Sequence, residues 1–512
     1  MFIFLIFSGL QLTFGQTTDC AVCVVALGLV QQLNKSSTSN PDQDCKSLGF
    51  CSGGCVLWNP WPANSAPFPS DGGAVDSRLL SSLHVENKAF TYENALDFVK
   101  LASSTLSPHR STLHDVLNFL WRYITEISHP CSDGLDVVCD FERPFQNHTP
   151  MIDWDADNFA GDPLAGDFLT QHFRGRSWRG KDCNDSDATV HPGAVDIGSG
   201  VDQNCNGIHG VDPSSGSPYE KLFCSGEYAP MGLAIVGDSA AAHFHIPPQY
   251  LNAASFNVSG ILEMAANEAD WPACSWATGY RNSSTSCPRM GILDAPPASF
   301  YQRWVGLNLC NHGDFQNIGV NGARTSSMAP PGVINALSRN PITDSPMLVI
   351  YALIGNDVCD GHPGDSQWTT VPEFTANVLA GLDYLETILP QGSHVAFVGL
   401  ADGRVLYDTT HNRTHPIGVG YPDVYEFLSC NNCNPCWGWL NTNETWRNAT
   451  SERAAQLTAV YDSIIATNST RYKAFDVRPY FSSRLRHEAH GSVHLLKRTT
   501  RNIFFSRCTA CR

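Results

Sequence analysis

Charge is scarce in this chain: only 16% of its 512 residues are Asp, Glu, Lys or Arg, and basic residues are the scarcer sign, 32 against 49 acidic, for a formal net charge of -17. The shortage of Lys and Arg excludes nucleic acid as a partner, because neutralising phosphates requires a cationic excess. It would also repel anionic lipid, except where bound cations or local basic patches intervene. After the N-terminus no apolar run approaches the ~18 uninterrupted residues that cross a bilayer, so the mature chain is expected to be soluble. With 42% hydrophobic residues the composition is that of a globular protein, neither disordered nor fibrous, and its length suits two or three domains.

Cysteine is plentiful: nineteen residues would be hard to explain in a reducing cytosol, whereas an oxidising secretory route makes them disulfide partners. The odd count leaves at least one thiol free or paired between chains. Residues 1–16 (MFIFLIFSGLQLTFGQ) form an uncharged apolar run ending in small and polar residues, which reads as a signal peptide despite lacking a basic start. N-x-S/T sequons at Asn34, Asn147, Asn257, Asn282, Asn412, Asn443, Asn448 and Asn468 agree with secretion.

Residues 17–145 open with Cys20-Ala-Val-Cys23 and an apolar helix-like run, Val24 to Leu33. Leu113 to Ile127 reads as an amphipathic helix ahead of Cys131 and Cys139. A CxxC can be a redox or zinc motif, but a small secreted helical module tied by disulfides is the simpler account, and it resembles saposin-like lipid-binding modules. Cys45, Cys51, Cys55 and the Pro/Trp-rich stretch Trp58 to Pro69 depart from a regular saposin spacing.

Residues 146–218 turn to Asp, Asn and Gly. Asp153, Asp155 and Asp157 stand on alternate positions before Phe159; Asp182, Asn184, Asp185 and Asp187 repeat the idea before Val190; Asp202, Asn204 and Asn206 close the stretch. Calcium needs six to eight hard oxygen ligands from a flexible loop. Alternating Asp and Asn supply them, with the carbonyls of Phe159 and Val190 as further candidates and Cys183 with Cys205 able to staple the loops. Within this region the basic run Phe173 to Lys181 is either an anion site or a solvated turn balancing adjacent acids.

From residue 219 the chain settles into α/β alternation. Gly232 to Val236, Met347 to Ile354 and Val395 to Leu400 are nearly all-apolar runs, as expected of strands buried on both faces of a parallel sheet. Between the last two, Phe374, Val378, Leu382, Leu385 and Leu389 share one helical face over Pro372 to Leu389, with Thr370 and Glu373 as its capping box. This predicts a doubly wound domain, whose ligand site lies at the carboxyl ends of the strands. There the first strand delivers Gly237-Asp238-Ser239, a serine that a base could activate against an ester. The second predicted strand ends in Gly355-Asn356-Asp357, whose Asn amide could hydrogen-bond a tetrahedral oxyanion; Asn317-x-Gly319-x-x-Gly322 offers a backbone N–H for the same oxygen.

In the order GDS, NxGxxG, GND, these blocks resemble those of the GDSL, or SGNH, hydrolases, which end in an Asp-x-x-His pair. Within them, residues 130 to 476 resemble the acyloxyacyl hydrolase family through Asp182 to Asp187, Asn204 to Gly207, Gly237 to Ile246, Cys310 to His312, Tyr351 to Cys359 and Thr450 to Arg453. The resemblance implies an SGNH-type three-layer α/β domain with a parallel sheet over residues 219–476, preceded by the saposin-like module and calcium-binding loops. It implies Ser239 as nucleophile, with its own N–H, Gly322 and Asn356 as the oxyanion hole. The activity implied is hydrolysis of secondary, acyloxyacyl-linked fatty acids of lipid A in bacterial lipopolysaccharide. Secretion, also to endosomal or lysosomal vesicles, membrane contact through the module, and processing to two disulfide-linked subunits follow as expectations. Two other readings stay open: a non-catalytic lipid-binding homologue and a general secreted lipase or carboxylesterase.

The chain departs from the family at its end. No Asp-x-x-His precedes an apolar helix after Asp476; Asp408-Thr-Thr-His411 has the spacing but comes early, and His487, His490 and His494 have no Asp three residues before them. Residues 477–512 read as an atypical basic tail, with eight Lys/Arg and one Glu from Arg478 onward. An alternative C-terminus, a divergent base or lost activity would each explain it. His243 and His245 flank the serine and read as packing residues, since an H-x-H zinc site lacks further ligands.

Overall fold

The computed structural model describes residues 47, 148–150, 152–161, 174–175, 177–245, 270–280, 298–359, 363–415, 420–430, 434–468 and 470–481. The expected signal peptide, the saposin-like module up to residue 145 and the basic tail after residue 481 lie outside the described residues.

Five strands form one parallel sheet: β1 (Gly232–Gly237), β2 (Phe315–Gly319), β3 (Met347–Ala352), β4 (Ser393–Val398) and β5 (Phe475–Phe481), in the spatial order β2-β1-β3-β4-β5. All six residues of β1 and of β3 are buried, as their unbroken apolar runs require. Alternate side chains feed two cores. Ala234, Val236, Val349, Tyr351, Val395 and Phe397 pack on one face and Leu233, Ile235, Leu348, Ile350 and Ala396 on the other, which makes the three layers.

Around the sheet lie α1 (Tyr219–Phe223), α2 (Ser239–Ala242), α3 (Phe300–Leu307), α4 (Thr325–Met328), α5 (Val371–Ile388), α6 (Arg404–Thr410), α7 (Tyr421–Cys430) and α8 (Glu444–Asn468). The apolar stripe of α5 is buried at Phe374, Val378, Leu382 and Leu385, each contributing about 1.5–3 kcal/mol. Its start carries the capping box: the Thr370 hydroxyl accepts from Glu373 N at 3.4 Å, and the Glu373 carboxylate accepts from Thr370 N at 3.0 Å. Long α8 packs Leu457, Tyr461 and Ile464 into the same core.

Periodicity did not reveal β2, because its middle is Gln-Asn. These polar side chains are fully buried and paired: Gln316 Oε1 accepts from Arg179 Nη1 at 2.8 Å and from Ser338 N at 2.9 Å. The fifth strand was hidden too: β5 continues through Phe481, so the charge break at residue 476 falls inside a sheet strand. As an edge strand it tolerates Pro479, whose missing N–H would interrupt a central ladder.

The Asp/Asn-rich loops pair with one another at Ala160 beside Lys181 and dock on the domain through Arg179 beside Gln316 of β2 and Ala194 beside Asp344, ahead of β3. Disulfides Cys183–Cys205, Cys224–Cys310 and Cys359–Cys436 pin this region, the entry to β1 and the loop after β3. Among the described residues, no helix is long and apolar enough to cross a membrane.

Candidate functional site

With β2 and β3 on opposite sides of β1, the carboxyl end of β1 is the switch point of the sheet, the place where open parallel sheets bind their ligands. Gly237 there pairs with Gly319 of β2 and Ala352 of β3, so the three sequence blocks leave the sheet side by side. Asp238 caps α2, its Oδ1 accepting from Ala240 N at 3.0 Å, and Ser239 is the first helical residue, half-buried. His243, in left-handed geometry at φ 59°, ends the helix after one turn.

Hydrogen bonds interlock the blocks. Val320 N donates to Gly237 O at 3.2 Å, and Asp238 Oδ2 accepts from Ile354 N at 2.7 Å, tying the serine turn to both neighbouring loops. Asn317 Nδ2 donates to Ala241 O at 2.9 Å and to Thr278 Oγ1 at 2.8 Å, which holds α2 against β2. Asn356 Nδ2 donates to Ala323 O at 3.0 Å, joining the β3 loop to the segment carrying Gly322. Gly322 itself has φ +78° and open space where a Cβ would stand, a left-handed, exposed position whose backbone a substrate oxygen can approach. Asp357 anchors this side, accepting from Thr325 and Thr369 hydroxyls at 2.7 Å each.

Burial shapes the titration of the site. Asp238 is pushed up to about 6 by desolvation, against the opposing pull of its backbone donors. Asp357 is raised by the same cause, opposed by the Thr369 and Thr325 bonds. His243 and His245 are lowered to about 4 by burial, so both rings are neutral at pH 7 and weak proton acceptors.

Among the described residues, no histidine hydrogen-bonds the Ser239 hydroxyl. Asp408 accepts from Arg404 Nε at 3.1 Å, while His411 Nδ1 donates to Tyr407 O at 3.1 Å, so the pair with the right spacing is engaged elsewhere. An unanticipated histidine–carboxylate pair, His394 with Asp476, arises from the register of β4 with β5, but at the ends where those strands begin, opposite Ser239. Only folding could create that pair.

The acidic loops converge in two groups. In the first, carboxylate oxygens of Asp153, Asp155 and Asp157, and of Asp155, Asp182 and Asp185, lie within 4.8 Å of one another. Both Asp155 oxygens, Asp157 Oδ2 and Asp182 Oδ2 are buried without a hydrogen-bond partner. Leaving such charges unanswered is costly, and an all-oxygen cage of this kind fits a hard divalent cation. Desolvation, with neighbouring carboxylates adding to it, pushes Asp157 and Asp182 up to about 7. Cys183 and Cys205 approach Asp182 too, but their sulfurs are joined in a disulfide.

The second group is separate. Asp202 accepts from Asn206 N and Gly207 N, and Asn204 Nδ2 and Asn206 Nδ2 donate to Glu220 at 2.9 and 3.1 Å. Glu220, on α1, carried no sequence signal because it joins the loop only through the fold. Asp187 belongs to neither group, being exposed and bonded to Thr189, and Asn184 Oδ1 is taken by the Ser186 hydroxyl. Phe159 and Val190 are buried beside the loops, with the Phe159 ring stacked on His191.

A family described as a putative metal-binding motif, labelled copper-binding MopE, matches residues 182–209. Three acyloxyacyl hydrolases are similar to the chain at 44% identity. The Oryctolagus cuniculus protein aligns over 343 residues, 64% of this chain and 56% of its own length. The Homo sapiens and Mus musculus proteins align over 306 and 304 residues, 57% and 56% of this chain and 51% and 50% of their own. The chain thus spans about half the length of the relatives it matches, and across that span it is related to the acyloxyacyl hydrolases.

Proposed function

We propose that this relative of the acyloxyacyl hydrolases is a secreted, calcium-binding serine ester hydrolase that releases secondary fatty acids from lipid A of bacterial lipopolysaccharide. One observation carries the reading: hydrogen bonds from Ile354 N to Asp238 and from Asn356 Nδ2 to Ala323 O hold the serine, glycine and asparagine blocks together at the carboxyl end of the sheet. Ser239 Oγ would attack the ester carbonyl carbon, and the oxyanion would be met by the N–H groups of Ser239 and Gly322 and the second amide hydrogen of Asn356. Donors of this kind are worth about 3–4 kcal/mol each when deleted. As the acyl-enzyme forms, the ester C–O bond breaks and the proton lost by the serine ends on the departing oxygen, which leaves as the hydroxyl of another acyl chain; water then hydrolyses the acyl-enzyme, restoring the Ser239 hydroxyl and releasing the fatty acid.

Asp153, Asp155, Asp157, Asp182 and Asp185 would hold a calcium ion. Bound there, calcium supplies charge neutralisation to carboxylates that burial otherwise disfavours. The oxygen-only donors favour calcium over copper, which selects nitrogen and sulfur. Secretion is supported by the disulfides and by the exposure of sequon residues Asn412, Asn443 and Asn448.

A second reading, a lipid-binding protein without turnover, is favoured by the burial that leaves His243 and His245, the histidines nearest Ser239 in the chain, weak proton acceptors. A serine-directed phosphonate separates the two. The folded native chain should be labelled, and Ser239→Ala should not; equal labelling of the two would leave the hydrolase reading without a nucleophile.

A further inference from the structure

We propose that Trp368, Trp437, Trp446 and Arg453 form a subsite for a phosphorylated sugar of the ester substrate, a proposal that rests on the hydrolase reading of the adjoining site. Trp446 is the centre of the cluster. Its ring meets Trp437 edge-on at 5.5 Å and Trp368 at 6.4 Å, and the Arg453 guanidinium stands 5.7 Å from the Trp368 ring centre. All four side chains are half-buried. Trp446 and Arg453 are seven residues apart on α8, two helical turns, and therefore share a face.

The cluster borders the oxyanion loops. Trp368 adjoins Thr369, whose hydroxyl donates to Asp357, the neighbour of Asn356. Arg324, two residues past Gly322, donates to Gln367 O. Cys359–Cys436 draws the loop of Trp437 to the Asn356 loop, and the Trp439 ring lies 3.8 Å from where a Gly355 Cβ would stand.

The ligand class follows from what the cluster leaves unanswered. Arg453 is half-buried and makes no hydrogen bond or ion pair with any described residue. A guanidinium so placed suits a phosphate, which it can grip with two parallel N–H donors. Partly exposed indoles present flat apolar area with a polar edge, which complements the C–H face of a sugar ring. An acyl chain would cover the indoles and leave the cation unmatched; inorganic phosphate would do the reverse. A sugar bearing a phosphate satisfies both, and in a chain of net charge -17 a local cation is needed to admit it.

The test is a tryptophan-fluorescence titration of the full chain carrying Ser239→Ala, which binds without turnover, with bisphosphorylated and with dephosphorylated lipid A in the same detergent. Saturable quenching is expected with both. Adding Arg453→Gln should weaken the phosphorylated probe by roughly tenfold and the dephosphorylated probe by less than about twofold, as loss of one charge-assisted contact predicts. Arg453→Lys, which keeps the charge and guards against a folding defect, should fall between. Trp446→Ala should weaken both probes. Equal losses for the two probes with Arg453→Gln, or no loss, would overturn the subsite. Arg453-dependent binding without phosphonate labelling of the native chain would sink the hydrolase reading alone.

Discussion

Asp238 is the residue on which the active edge turns. Its buried carboxylate receives N–H groups from Ala240 on its own helix and Ile354 on the next loop, so one side chain sets Ser239 relative to Asn356. That service has a pH signature. Burial raises its pKa from 3.8 to about 6, so between about pH 4 and 6 the folded chain keeps a proton that the unfolded chain has released, and stability falls as pH rises through that window. Asp238→Asn cannot titrate, and it also presents an amide where a second backbone donor points. Its thermal midpoint should be lower than that of the natural chain at every pH, with the gap narrowing from pH 4 to 6. Parallel midpoint curves across that range would show that Asp238 does not carry the effect.

At the level of elements, the contact between β2 and α2 determines where the nucleophile stands. Gly319 ends β2 where a Cβ would come within 2.7 Å of Ala242 N and 2.8 Å of Asn317 Oδ1. One of those neighbours is backbone, which cannot rotate away. Gly319→Ala should therefore push α2 from the sheet and cost about 1–3 kcal/mol, the usual range for overpacking, read as a shift in the urea midpoint at unchanged slope. A variant as stable as the natural chain would mean that α2 yields freely. Gly322 differs: its surroundings are open, and only its left-handed φ resists a side chain.

For the whole molecule, the deciding quantity is uncompensated negative charge. Buried carboxylate oxygens of Asp155, Asp157 and Asp182 lack partners in loops that are docked on β2 through Arg179 and Ser338, whose hydroxyl donates to Asp157 O at 2.9 Å. A cation there would brace the β2 side of the sheet. A ligand present at about a hundred times its dissociation constant stabilises by about 2.7 kcal/mol, and each kcal/mol moves the midpoint of a domain this size by about 2–4 °C. Chelation should thus lower the thermal midpoint by roughly 5–10 °C, and Asp155→Asn should shrink that shift. An unchanged midpoint in saturating chelator would rule out a stabilising ion in these loops.

What depends on local order was legible in the chain's residues: the apolar runs of β1, β3 and β4, the capped stripe of α5, the turn that presents Ser239 and the alternating carboxylates of the loops. Each is legible because its physical cause spans a few neighbouring residues. What depends on partners distant in the chain emerged with the fold. Gln316 and Asn317 looked unfit for a buried strand until Arg179, Ser338, Thr278 and Ala241 answered their polar atoms. Phe475–Phe481 joined the sheet because β4 offered it a parallel edge, in spite of the charge break that ran through it. Glu220 met Asn204 and Asn206, and Arg453 met Trp368, only because folding brought separate elements together. Hydrogen-bond and electrostatic partners are chosen by proximity in space, and local sequence pattern carries no record of that choice.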